Sequence, residues 1–199
     1  VPAFIIMLPL MLKSGVIIRG QSIFGLFMIA LGATAVFPYL ISTGVYYAPA
    51  SDAGALAAGM LPFWTALFAF TITGEKPTKI RFLGLIIILL GAILVGSYSI
   101  LSSSGQNTWK GHFLFLAGSG MWSMYTVYFR KSGIDPVTGL VFGLFWGTAV
   151  VAPILVIFGD VSFVKASTFD IFSMIILQGL LIAIVAMLLY NFAIRQLGP

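Results

Sequence analysis

Apolar residues run through this chain in long unbroken stretches, separated by short polar turns. Six stretches contain no Asp, Glu, Lys or Arg: Ser22–Tyr46, Ala53–Thr73, Phe82–Leu101, Gly111–Phe129, Val137–Phe158 and Ile171–Ile194. A shorter run, Val1–Leu12, precedes them. A helix needs about 20 mostly apolar residues to cross a bilayer. A membrane β-strand would need only about 10, with alternating polarity. These runs are long and do not alternate, and in lipid a helix satisfies its backbone within one segment. The pattern predicts an all-α, polytopic membrane helix bundle with one partial and six full spans.

The turns carry matching signals. Ser51-Asp52 is placed to cap a helix starting at Ala53, because a side-chain oxygen there can accept from a free backbone N–H. Asp135 is placed to cap the next-to-last span, with Pro136 at the first helical position, where a missing N–H costs little. Residues 102–110 hold the most polar, flexible stretch, Ser102-Ser103-Ser104-Gly105-Gln106-Asn107, and divide the chain into segments 1–101 and 111–199.

Composition strengthens the membrane reading. Of the 199 residues, 60% are hydrophobic and 8% charged, and the mean hydropathy is +1.13. A soluble domain is nearer about 25% charged, so this chain cannot cover a globule with polar groups. With no cysteine, one histidine and five carboxylates, disulfides and thiolate metal sites are excluded and other metal ligands are scarce. The net charge of +5 is spread singly and in pairs between the spans, which fits a membrane and not a nucleic acid. If successive turns alternate sides, one side receives Lys13, Arg19, Lys76, Lys79, Arg81, Arg130, Lys131 and Arg195, and the other Lys110 and Lys165. Short cytoplasmic loops retain Lys and Arg. The bias predicts a multi-pass protein of the cell's inner (plasma) membrane with 13–21, 74–81 and 130–135 cytoplasmic and 47–52, 102–110 and 159–170 outside. Lys13 and Arg19 follow the first apolar run, the reverse of a signal peptide.

The stretch "AGALAAGMLPFWTALFAFTITGEKPTKIRFLGLIIILLGAILVG" resembles the EamA-type repeat of the drug/metabolite transporter superfamily. The shared features are a start rich in small residues, the mid-helix Pro62, Gly74-Glu75 at the helix end and the following "LGLIIILLGAILV". "GHFLFLAGSGMWSMYTVYFRK" and "LYNFAIRQLGP" resemble the family's sixth helix and the close of its eighth. The resemblance implies ten helices in two inverted repeats, of which seven are present. The first repeat would occupy 1–101 without its first helix, and the second 111–199 without its last two. Where the family often has a glutamate before the mid-helix proline, this chain has Leu61.

Several polar and aromatic residues inside the spans are candidates for a substrate cavity. Ser119, Trp122 and Thr126 share a helix face with Ser123, and Tyr125 lies beside it. Hydroxyls with an aromatic wall suit a wet cavity, although interhelical hydrogen bonds of about 0.6 kcal/mol each also explain them. Tyr39, Ser42 and Thr43 form a second stripe near Pro38, and Trp64 follows Pro62, which frees a carbonyl near Ala58. In the last span Asn191 is preferred over Gln178, which falls on another face. Gly139, Gly143 and Gly147, four apart, form a packing surface that lets a neighbouring backbone come close. Glu75 reads as a local partner of Lys76 and Lys79, and His112 as a solvated interfacial residue without a partner.

No catalytic residues, metal ligands or cofactor are expected, and the chain reads as no enzyme. The resulting expectation is a transporter of a small organic metabolite, neutral or zwitterionic, amino-acid-like or drug-like, working by alternating access. The resemblance implies export. Its partners are the lipid bilayer and the small-molecule substrate, with a homodimer left open and no nucleic acid. The alternatives are a seven-helix receptor or a non-transporting subunit of a membrane complex. A retinal pigment would need a lysine in the last span, which has none.

Overall fold

The computed structural model describes residues 2–15, 17–102, 107–158 and 167–197. The centre of the 102–110 linker and most of the 159–170 loop, with Lys165, lie outside these residues. The described chain forms seven helices and no strand. They are α1 (Pro2–Ser14), α2 (Ile23–Gly44), α3 (Ala50–Thr73), α4 (Lys79–Ser102), α5 (Thr108–Ser132), α6 (Pro136–Phe158) and α7 (Thr168–Gln196). Five of them, α2, α3, α4, α6 and α7, are long and apolar enough to cross a membrane; α1 is a shorter apolar helix. The protein is a multi-pass membrane protein. α5 is 25 residues long but less apolar than expected of a full span. The reason is packing: Ser119, Ser123 and Thr126 are buried against other helices, so α5 need not present an oily surface all round.

Local chemistry sets the helix ends. Ser22 accepts from Gly25 N–H at 3.1 Å and opens α2. Asp135 accepts from Val137 and Thr138 N–H at 3.0 and 3.3 Å and opens α6, as expected of Asp135-Pro136. Ser167 and Asp170 form a reciprocal capping box at the start of α7. α3 closes at Gly74, whose φ of 76° is left-handed and natural for glycine, with its N–H bonded to Phe70 O at 3.1 Å. The start of α3 departs from expectation. The helix begins at Ala50 behind Pro49 with no side-chain cap, so Asp52 falls within its first turn. Parts of α2, α3 and α7 widen into π-helical turns, at Met28–Val36, Gly54–Ala58 and Ile175–Ala186. In α3 the wide turn precedes Pro62: Gly59 N–H reaches back to Gly54 O at 2.9 Å, which accommodates the register shift that the proline demands.

Contacts divide the chain into two compact units, each drawing on both halves of the sequence. The first contains residues 1–35 and 132–198, hence α1, the start of α2, α6 and α7. Its core gathers Met7, Met11, Leu140 and Val141, with Phe4, Phe145 and Ile184 around them. Thr34 of α2 sits against Gly143 and Gly147 of α6; a Cβ added at Gly147 would stand 2.5 Å from Thr34 Oγ1. Residues 36–131 form the second unit: the end of α2, then α3, α4 and α5. Its core centres on Ala48, Leu56, Ala57, Met60, Ala92 and Phe115. Two glycines that sequence reading passed over bring α2 and α5 together here. A Cβ at Gly111 would collide with Ala48 Cβ, and one at Gly44 would stand 2.5 Å from Phe115.

Candidate functional site

α5 is the organising helix of the second unit. Its Ser123 hydroxyl donates to Leu61 O of α3 at 3.2 Å, one residue before Pro62. Thr126 donates back to Trp122 O at 3.0 Å within α5. Trp122 meets Phe37 of α2 edge-on, with ring centroids 4.8 Å apart, and Tyr125 stacks on Phe129 at 5.7 Å. Trp64 of α3 stacks on Phe68 at 5.6 Å and packs beside Gly120 of α5. The structure therefore brings Trp64, Ser119, Trp122, Tyr125 and Thr126 into one unit. Ser119, Tyr125 and Thr126 are fully buried in it.

Two of these candidates have unmet hydrogen-bonding capacity. Ser119 Oγ and Trp64 Nε1 are buried and have no hydrogen-bond partner among the described residues. An unpaired polar group in a membrane interior costs free energy until something satisfies it.

Other candidates stand elsewhere. Tyr39 is 68% exposed, Ser42 is exposed with its hydroxyl donating to Tyr39 O at 3.1 Å, and Thr43 is half-buried. Asn191 belongs to the first unit, fully buried, where its amide donates to Pro136 O at 3.3 Å and ties α7 to the start of α6. Gly139 is buried in α6 on the same face as Gly143 and Gly147.

The first unit also holds a cavity of about 810 Å³ lined by α1, α2, α6 and α7. Most of its wall is apolar; Thr34, Thr148 and Gln178 supply the uncharged polar groups. Asp170 lies at this wall too, with its carboxylate engaged by the Ser167 hydroxyl at 2.6 Å. Gln178, passed over in favour of Asn191, is thus the α7 amide that faces open space. One signal was available: Gln178 falls on a different helix face from Asn191, and only one of them can clamp a neighbouring helix.

A second arrangement was missed entirely. Asp52 Oδ2 accepts from Ser99 of α4 at 2.6 Å and lies 2.8 Å from His112 Nε2 of α5, while Ser51 donates to Oδ1 at 3.3 Å. Asp52 caps nothing, and His112 is neither solvated nor alone. The earlier helix start, at Ala50, explains the first error, since a residue inside the first turn points sideways into the neighbouring helices. Glu75 likewise pairs at long range, not with Lys76 or Lys79: Arg130 holds both its oxygens, at 2.6 and 2.8 Å.

No metal-holding group of His, Asp and Glu exists among the described residues. Residues 1–97 match the family described as the EamA-like transporter family. No curated protein and no solved structure matches the chain. The match includes the Ala53–Ser97 stretch and its helices α3 and α4. Just under half of the chain is therefore similar to that transporter family.

Proposed function

We propose that the protein carries a small organic molecule, neutral or zwitterionic, outward across its membrane by alternating access between two inverted repeats, one in 1–101 and one in 111–199. The family of residues 1–97 supports transport. The absence of charge along the apolar runs supports a substrate without large net charge, because a charged one would need a buried counter-charge along its path. The basic bias of the turns at 13–21, 74–81 and 130–135 supports their cytoplasmic placement.

One observation carries the substrate reading: Ser119 Oγ and Trp64 Nε1 are buried and unpartnered beside an aromatic wall. A hydroxyl and an indole N–H offer hydrogen bonds to a carbonyl or carboxylate, and Trp122 and Tyr125 offer apolar contact to the rest of the molecule. The test is uptake of labelled neutral amino acids by the purified full-length protein in proteoliposomes. Ser119→Ala and Trp64→Phe should each raise KM about three- to tenfold, the effect of losing one hydrogen bond. Uptake of polyanions alone, or kinetics unchanged by both substitutions, would remove the substrate assignment.

A further inference from the structure

The cavity of the first unit is apolar over most of its wall, through side chains such as Leu155 and Ile175. Into it α7 brings Gln178, well inside the span Thr168–Gln196, and α6 brings Thr148. Neither the Gln178 amide nor the Thr148 hydroxyl bonds to another described residue. Thr34 differs, since its hydroxyl is spent on Ala30 O of its own helix. Gln178 is exposed and not packed into a neighbouring helix, so no helix satisfies it. An amide left unpaired at membrane depth costs free energy. Water answers this poorly, because an ordered water needs two to four polar partners and most of this wall offers none. Asp170 stands at the same wall near the start of α7, its carboxylate accepting from the Ser167 hydroxyl at 2.6 Å and the Ser167 N–H at 3.3 Å.

We propose that this cavity binds one molecule of a neutral amphiphile, an alkyl body carrying a single amide or alcohol group, with Gln178 and Thr148 as its hydrogen-bonding partners. The Gln178 carboxamide both donates and accepts, so a primary amide can meet it with two reciprocal bonds and an alcohol with one. The Thr148 hydroxyl can serve as donor or acceptor to the same group. The alkyl part lies against the apolar wall, where each methylene removed from water adds affinity. A volume of about 810 Å³ suits one small organic molecule. Charge narrows the class further. A carboxylate or phosphate head would meet the like charge of Asp170. A cation held at Asp170 would leave Gln178, two turns further along α7, without a partner. The site shares no residue with Ser119 and Trp64 and stands apart from the substrate assignment made there.

The test is photolabelling of the full-length protein in lipid nanodiscs, which needs no transport and so is read independently of uptake. The probe is azioctanol, a neutral alkyl alcohol that crosslinks through a diazirine, and the competitor is octanamide. Adducts on the peptides around Gln178 and Thr148 should saturate as the probe is raised. Adducts at Ile87 and Leu94, on the exposed face of α4, should rise in proportion to the probe dissolved in lipid. Saturating octanamide should lower the first at least about fivefold and leave the second unchanged, and octanoate should compete about tenfold less well. Gln178→Leu should raise the half-competing octanamide concentration about tenfold, the effect of losing a buried hydrogen bond. Ala152→Trp, which fills the cavity, should remove the saturable labelling. If that variant does not fold, Gln178→Leu decides. Labelling that never saturates, octanoate competing as well as octanamide, competition unchanged by Gln178→Leu, or cavity labelling that appears in detergent and vanishes once phospholipid is restored would each overturn the proposal, the last by assigning the space to a phospholipid chain.

Discussion

Asn191 and Glu75 both bond across long chain distances, yet burial separates their energetic roles. Glu75 and Arg130 form an exposed pair, with side chains 45% and 37% accessible, and such pairs contribute about 0–1 kcal/mol. Asn191 is fully buried and clamps the carbonyl of Pro136. Removing the amide deletes this buried bond between α7 and α6 and leaves a space in the packing, so Asn191→Ala should destabilise the protein by about 1–3 kcal/mol. Thermal unfolding of the purified protein in detergent should register this as a lower midpoint, and an unchanged midpoint would contradict it. These two residues also mark the limit of reading side chains from a sequence. Local partners such as Asp135 and the N–H groups of α6 were legible because three positions separate them at most. Asp52 and His112 lie 60 positions apart, Glu75 and Arg130 55 apart, and no periodicity within one helix can announce such meetings.

Helices α2 and α6 show how small residues fix an element's neighbours. The four-residue spacing of Gly139, Gly143 and Gly147 was legible as a packing face, since glycines one turn apart leave a groove on any helix. Which helix fills that groove was not, because Thr34 lies more than 100 positions earlier. Thr34 also returns its hydroxyl to Ala30 O, which keeps its side chain close to its own helix. At Gly147 even one methyl would meet Thr34 Oγ1 at 2.5 Å and Cβ at 3.0 Å, and neither atom can withdraw without moving α2. Gly147→Ala should therefore cost about 1–3 kcal/mol through forced separation of the helices. Gly84, whose added Cβ would meet nothing within 4 Å, provides the control: Gly84→Ala should leave the unfolding midpoint unchanged or raise it. Equal effects at the two positions would deny that close approach matters. In α2 and α3 a proline, Pro38 or Pro62, follows the wide turn within four residues and explains it. The wide turn of α7 had no such sequence signature.

At the scale of the whole molecule, five of the six full spans and their order were legible because lipid imposes a length and a polarity that few sequences meet by chance, while α5 falls short of that polarity. The grouping of helices was not, since the boundary between the two compact units falls inside α2. Charge supplies what hydropathy leaves open. Within the second unit, the Glu75–Arg130 pair brings the 74–81 turn to the end of α5. Within the first, Gln21 donates to Ser132 O at 3.0 Å and Arg195 reaches Asp135 at 3.4 Å, so the 13–21 loop and the end of α7 meet the turn after α5. Within each unit these contacts join one basic turn to another. Asp52, Ser99 and His112 join the opposite ends of α3, α4 and α5 in the same way. The proposed cytoplasmic placement of the basic turns rests on the retention of Lys and Arg on that side. With single cysteines at Lys76 and Asn107 in otherwise intact cells, a membrane-impermeant maleimide should label Asn107→Cys and spare Lys76→Cys until the membrane is opened. The reverse pattern would turn the protein over while leaving every contact above in place. Labelling of both from outside would place two ends of α4 on one side of the bilayer, which a helix of 24 apolar-rich residues crossing it once cannot allow.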